Sequence, residues 1–112
     1  LLALALSEGI TLTKKAGFDP EKFLEILNST YFKTGMSEKK AYKMINDEFE
    51  PTFSLKNLKK DLEIITETAR DFGAVLPMAE RANEIYANAV KDGFGEIDYT
   101  GILAYIKKLS ED

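Results

Sequence analysis

Leu55, Leu58, Leu62, Ile65, Ala69 and Phe72 recur at alternating steps of three and four, and Gly73 closes the run. That spacing places all six on one face of an α-helix, whose side chains return to the same side about every 3.6 residues. A strand, with faces that alternate at every second residue, does not hold such a pattern. A helix with one core-facing stripe is therefore the element around which this chain must fold. Its neighbours have to be surfaces that pack on a helix.

The flanking segments supply more helices. Residues 1–16 read as one helix ending at Gly17, with Lys14 and Lys15 complementing its dipole. Phe18-Asp19-Pro20-Glu21 is a helix start, with Asp19 as cap and Pro20 at the first helical position. The helix that follows carries Phe23, Leu24, Ile26 and Leu27 and breaks near Asn28-Ser29-Thr30. Ser37 is the expected cap of a helix bearing Ala41, Met44 and Ile45, and Glu50-Pro51-Thr52 interrupts the pattern. Ala74-Val75-Leu76 reads as an extended link before Pro77. Met78, Ala82, Ile85, Tyr86 and Ala89 mark the next helix, ended by Gly93 or Gly95, and Asp98 can cap a last one through Ile102, Leu103, Ile106 and Leu109. The expectation is an all-α domain of five to six helices spanning residues 1–112, with no internal repeat.

Composition removes much chemistry. The chain has no Cys and no His, which excludes disulfides, thiolate zinc sites, thiol nucleophiles and the usual acid/base group at neutral pH. With 19 acidic and 15 basic residues the net charge is −4, and the only arginines are Arg70 and Arg81, which argues against nucleic acid as a partner. The opening run Leu1-Leu2-Ala3-Leu4-Ala5-Leu6 has no positive flank and is too short for a signal peptide or a membrane span. A helix so apolar all round is buried or packed between domains. The expectation is a helix that continues upstream of Leu1, in a cytoplasmic protein that no membrane anchors.

Some strings could carry function. Asp61, Glu63 and Glu67 share a helix with Lys56, Lys59 and Lys60, so a solvated charged face accounts for them better than a metal site. Gly93-Phe94-Gly95 has no preceding strand and no GK[ST], so it reads as a helix stop and turn. The three lysines are either surface charge or an edge that faces an anion. Phe53 allows two placements. With Ser54 as cap it is a hydrophobic staple against Leu58. If the helix starts earlier, Phe53, Asn57 and Lys60 form a stripe turned away from the core.

Ala5-Leu6-Ser7-Glu8-Gly9, Phe53 followed by Lys60-Asp61-Leu62, Gly73-Ala74-Val75-Leu76-Pro77, and then Tyr86, Gly93, Gly95 and Asp98 stand in an order that resembles the C-terminal domain of the β-hydroxyacid dehydrogenases. These include 3-hydroxyisobutyrate dehydrogenase and the glyoxylate/succinic semialdehyde reductases, whose helical domain is of the 6-phosphogluconate dehydrogenase-like type. The resemblance covers essentially the whole chain. It implies an N-terminal Rossmann domain outside this sequence, binding NAD or NADP, with residues 1–16 the remainder of an interdomain helix. It implies no catalytic residue within this chain, because the family's lysine, in a G-x-x-x-K-x-x-x-N stretch, falls upstream of Leu1.

Three positions carry over from the resemblance as cofactor-binding. Phe53 resembles the aromatic that borders the nicotinamide, Lys60 the lysine that approaches the ribose and active site, and Asp61 the neighbour that supports the cleft's polar network. The implied function is a substrate-cleft and oligomerisation domain, inactive alone, in an enzyme that interconverts a small hydroxy acid and a semialdehyde as a homo-oligomer, with no metal. The alternative is a stand-alone helical protein-interaction or dimerisation module, which the greasy opening residues suit equally.

Overall fold

The computed structural model describes residues 1–111. Among them are six α-helices: α1 (Leu2–Lys15), α2 (Pro20–Asn28), α3 (Ala41–Ile45), α4 (Leu55–Asp71), α5 (Pro77–Ala89) and α6 (Ile102–Leu109). A π-helical turn, Met36–Lys40, leads into α3, another, Val90–Phe94, extends α5, and a 3-10 turn, Tyr99–Gly101, leads into α6. There is no strand among the described residues, only an isolated bridge between Ser54 and Asp98. The fold is all-α. No helix among them is long and apolar enough to cross a membrane.

The helix starts follow local chemistry. The Asp19 side chain accepts the Glu21 N–H with Pro20 behind it, and the Ser54 hydroxyl accepts the Asn57 N–H. Gly17, Gly73 and Gly93 all have positive φ where chain direction changes after a helix, a conformation that side chains with a Cβ resist.

The core has two lobes with a shared spine. Leu55 and Leu62 of α4, Ala82, Tyr86 and Ala89 of α5, and Ile102 and Tyr105 of α6 form one lobe around Ala3 and Leu4. Leu24, Ala41, Met44 and Leu103 close the other around Leu6 and Ile10. Thus α1 and α6 each contribute to both lobes, and α4 pairs with α5 along one side. Ser7, also buried on α1, returns its hydroxyl to the Ala3 carbonyl at 2.7 Å, so a polar residue sits in the spine without an unmet bond.

Several expected positions shift. The buried stripe of α4 is Leu55, Leu62, Thr66 and Ala69, with Leu58 half-buried, whereas Ile65 is 48% and Phe72 85% exposed. Thr66 takes the core position because it lies four residues after Leu62, and its hydroxyl is satisfied by the Glu63 carbonyl. Met78 and Leu109 are exposed as well. Ser37 does not cap α3. It lies inside the π turn, where its N–H donates to the Thr34 hydroxyl and its own hydroxyl accepts the Thr34 N–H, a reciprocal closure of the kind that starts helices. Helix α1 is not apolar on a single face: Ala3, Leu4, Leu6 and Ile10 are buried, while Leu2, Ala5 and Leu12, with Leu1 just ahead of the helix, are exposed.

Candidate functional site

The connections before α4 and before α6 run side by side. Leu55 N–H donates to the Ile97 carbonyl at 2.8 Å, Tyr99 N–H to the Phe53 carbonyl at 2.8 Å, and Asp98 N–H to the Phe49 carbonyl at 3.0 Å. At their centre is the Asp98 carboxylate, 2% exposed. One of its oxygens accepts the Thr52 N–H (2.9 Å), the Thr52 hydroxyl (3.0 Å) and the Phe53 N–H (3.2 Å). The other accepts the Lys40 ammonium (3.1 Å) and the N–H and hydroxyl of Thr100. Asp98 does cap the turn that leads into α6, as expected, but it also gathers the loop before α4 and the π turn before α3.

Burial by itself raises the pKa of the Asp98 carboxyl. The hydrogen bonds from Thr100, from the backbone of Thr52 and Phe53, and from Lys40 outweigh that and hold it well below the usual carboxylate range. A carboxylate so stabilised and so fully engaged is a poor proton acceptor, and Asp98 therefore serves as an anchor, not as a general base.

Phe53 takes its place from this anchor. Its backbone is pinned at both ends, and its ring meets the Tyr99 ring edge-on, with centroids 6.2 Å apart and planes at 68°. The Lys40 ammonium lies 4.9 Å from the Tyr99 ring centre and also donates to the Thr52 hydroxyl at 2.7 Å. The Phe53 ring remains 38% exposed. Because α4 begins at Leu55, Phe53 is outside the helix. The placement with Ser54 as cap is the observed one, and the stripe of Phe53, Asn57 and Lys60 that an earlier start would give does not form.

On α4 the three lysines differ. Lys56 pairs with Glu96 at 2.8 Å and Lys59 pairs with Glu63. Lys60 and Asp61 are both exposed and, among the described residues, make no side-chain hydrogen bond or ion pair. Phe53 thus offers a partly exposed ring ahead of α4, while Lys60 and Asp61 are exposed on α4 itself, and no contact joins the ring to either of them. An open recess of about 480 Å³ lies next to the anchor, with Lys40, Lys43, Phe49 and Glu50 among its walls. At Gly93 the positive φ confirms the helix stop and turn.

The sequence singled out Phe53, Lys60 and Asp61 as candidates but not Lys40, Thr52, Tyr99 or Thr100, which the structure gathers around Asp98 and Phe53. Asp98-Tyr99-Thr100 carried a partial signal, since an Asp two residues before a Thr is a pattern that closes turns. Nothing in the spacing pointed to Lys40, which arrives from 58 positions away.

The fold is an all-helical domain with two core lobes on a shared helix pair, with an aromatic held beside the start of its longest helix. Residues 1–106 match the family described as NAD-binding of NADP-dependent 3-hydroxyisobutyrate dehydrogenase, and the chain belongs to that family. It is 28% identical to glyoxylate/succinic semialdehyde reductase 1 of Arabidopsis thaliana, over 92% of this chain and 36% of that protein. It is also 28% identical to the cytokine-like nuclear factor N-PAC of Aedes aegypti, over 91% of this chain and 18% of that protein. A crystal structure of 3-hydroxyisobutyrate dehydrogenase from Salmonella typhimurium superposes with a TM-score of 0.85 at 20% identity, covering 92% of this chain and 36% of that one, which shows the shared fold. The chain spans 18% to 36% of the length of the first relatives it matches.

Proposed function

We propose that this chain is the helical C-terminal domain of an NAD(P)-dependent β-hydroxyacid dehydrogenase, with residues 1–16 the remainder of an interdomain helix that joins it to a Rossmann domain. The family match across residues 1–106 carries this reading. Leu1 and the outward Leu2 and Ala5 of α1 support it, since an apolar helix face left open on one domain suits packing against another. The same exposed face, with Leu12 and Met78, supports self-association into a homo-oligomer.

The residues present fit one edge of a dinucleotide. The partly exposed Phe53 ring would border the nicotinamide, the Lys60 ammonium, which makes no ion pair among the described residues, would approach the ribose and active site, and Asp61 would order the polar surroundings. A bound nicotinamide dinucleotide supplies the hydride acceptor or donor for interconverting a hydroxy acid and a semialdehyde. The contribution of this domain is to close the cleft, exclude water and fix orientation. The proton is exchanged with a lysine of the interdomain helix upstream of Leu1.

The test begins with the coding sequence upstream of Leu1, where a G-x-G-x-x-G strand-turn-helix unit and a lysine in the stretch leading into α1 are expected. The full-length protein should then oxidise 3-hydroxyisobutyrate or a related acid with NAD or NADP, and the 112-residue chain alone should not. Turnover by the chain alone would overturn its assignment as an inactive cleft wall. An upstream sequence without a dinucleotide-binding unit would leave a stand-alone interaction module in its place.

A further inference from the structure

Phe53 lies in a connection, not on a helix, and a loop aromatic has no regular backbone to fix its ring. The observed restraints come from the other connection. Tyr99 donates its N–H to the Phe53 carbonyl and sets its ring edge-on to that of Phe53, while Asp98 holds the Phe53 N–H. Tyr99 is held in turn by the Lys40 ammonium over its ring, and Lys40 is fixed on Asp98 and Thr52. The Tyr99 hydroxyl makes no hydrogen bond among the described residues, so the ring, and not the hydroxyl, is what Phe53 meets.

We propose that Tyr99, clamped by the Lys40–Asp98 pair, is a positioning residue that sets the orientation of the Phe53 ring for the dinucleotide. It rests on the reading that Phe53 borders the nicotinamide. Without the Tyr99 ring, Phe53 keeps its backbone anchor but loses the contact that selects its side-chain orientation, so the ring samples poses that do not support hydride transfer. A misplacement of about 1 Å at a reacting centre costs up to about 100-fold in rate, and a ring that spends part of its time in place loses less.

The experiment has two arms. In this chain, NMR of ring-labelled phenylalanine should show Phe53 gaining motion in Tyr99→Leu and in Lys40→Met, with Tyr99→Phe and Lys40→Arg restoring it. In the full-length protein, Tyr99→Leu should lower kcat about 10-fold while raising the KM for the dinucleotide less, and Tyr99→Phe should restore kcat. Should Tyr99→Leu fail to fold, Lys40→Met, on a side chain already partly open to solvent, carries both arms. Unchanged Phe53 motion in both loss variants would overturn the proposal. So would unchanged kinetics in Tyr99→Leu alongside a large defect in Phe53→Ala. If Phe53→Ala itself leaves turnover intact, the assignment of Phe53 to the cofactor is what fails, and the positioning role falls with it.

Discussion

Lys40 and Asp98 stand 58 positions apart in sequence and 3.1 Å apart in space, the ammonium 28% and the carboxylate 2% exposed. The pair joins the π turn before α3 to the 3-10 turn before α6, and Thr52 bonds to both partners. A buried carboxylate costs several kcal/mol in lost hydration unless its oxygens find donors. Here the donors that offset that cost are Thr52 and Phe53 of the connection before α4, Thr100 of the 3-10 turn and Lys40 at the junction of the π turn with α3. The loops around the candidate site are therefore ordered by one charge.

Asp98→Asn keeps the size of the side chain and removes the charge, leaving Lys40 without its carboxylate. Urea or thermal unfolding at pH 7 should show a loss of about 2–4 kcal/mol. The pH dependence fixes the sign. The folded-state pKa of Asp98 is lowered, so its stabilisation is complete above the unfolded value of about 4 and is lost as pH falls from there toward the folded value. The gap between wild type and Asp98→Asn should accordingly shrink between pH 5 and pH 2, as read from paired unfolding curves. A constant gap over that range would mean that the charge contributes nothing.

Tyr86 presents the opposite case. It is fully buried in the larger lobe, burial pushes its hydroxyl pKa well above the ordinary tyrosine value with the nearby Tyr99 adding to that, and the hydroxyl has no hydrogen-bond partner among the described residues. Removing an unsatisfied buried hydroxyl gives back its desolvation cost while the ring keeps its packing. Tyr86→Phe should be neutral or stabilising by up to about 1 kcal/mol, and its thermal midpoint should not fall. A drop of several degrees would show that the hydroxyl has a partner in solution.

Most helix starts were legible because they are set within a few residues, but that of α3 was not, since Ser37, expected as its cap, lies inside the π turn. Asp19-Pro20, Ser54 and Asp98 act where their side chains can reach neighbouring N–H groups, and Pro77 opens α5 at the first helical position. The stripe on α4 was legible at Leu55, Leu62 and Ala69. Elsewhere on it, counting apolar residues favoured Ile65 and Phe72, which are exposed, over Thr66, which is buried, because burial depends on what lies opposite and not on residue type alone. For Phe53 the sequence allowed two placements, and only the structure, with Ser54 as the cap of α4, decides between them. The partners that orient it, Tyr99 and Lys40, could not be read from sequence, because they come together only once α3, α4 and α6 have packed.

Gly101 shows another constraint that spacing hides. Its backbone is helical, so any residue suits its φ, but a Cβ there would sit 2.6 Å from Ile97 Cγ1. Alanine regains about 1 kcal/mol of helix propensity, while overpacking a buried site costs about 1–3 kcal/mol. Gly101→Ala should therefore be net destabilising by about 1 kcal/mol in denaturant unfolding. Shortening the opposing side chain opens the space, so Gly101→Ala should cost less in an Ile97→Ala background. Strict additivity in that double-mutant cycle would count against the contact.

Lys60 separates a binding role from a structural one. It is exposed, and unlike Lys56 and Lys59 it makes no ion pair among the described residues. Surface substitutions away from specific contacts change stability by less than about 0.5 kcal/mol, so Lys60→Ala should unfold at the wild-type denaturant midpoint. Lys56→Ala, which breaks only an exposed pair, should lose no more than about 1 kcal/mol. If Lys60 faces the dinucleotide, its loss in the full-length protein should raise the KM for NAD(P)H about 10-fold, which corresponds to one charge-assisted contact. That defect should deepen at low ionic strength, where the attraction of an exposed ammonium for phosphate is least screened. Lys56→Ala, its charge already met by Glu96, should leave that KM nearly unchanged. Equal effects of the two substitutions would point to a general field from the basic face of α4 and not to a specific contact at Lys60.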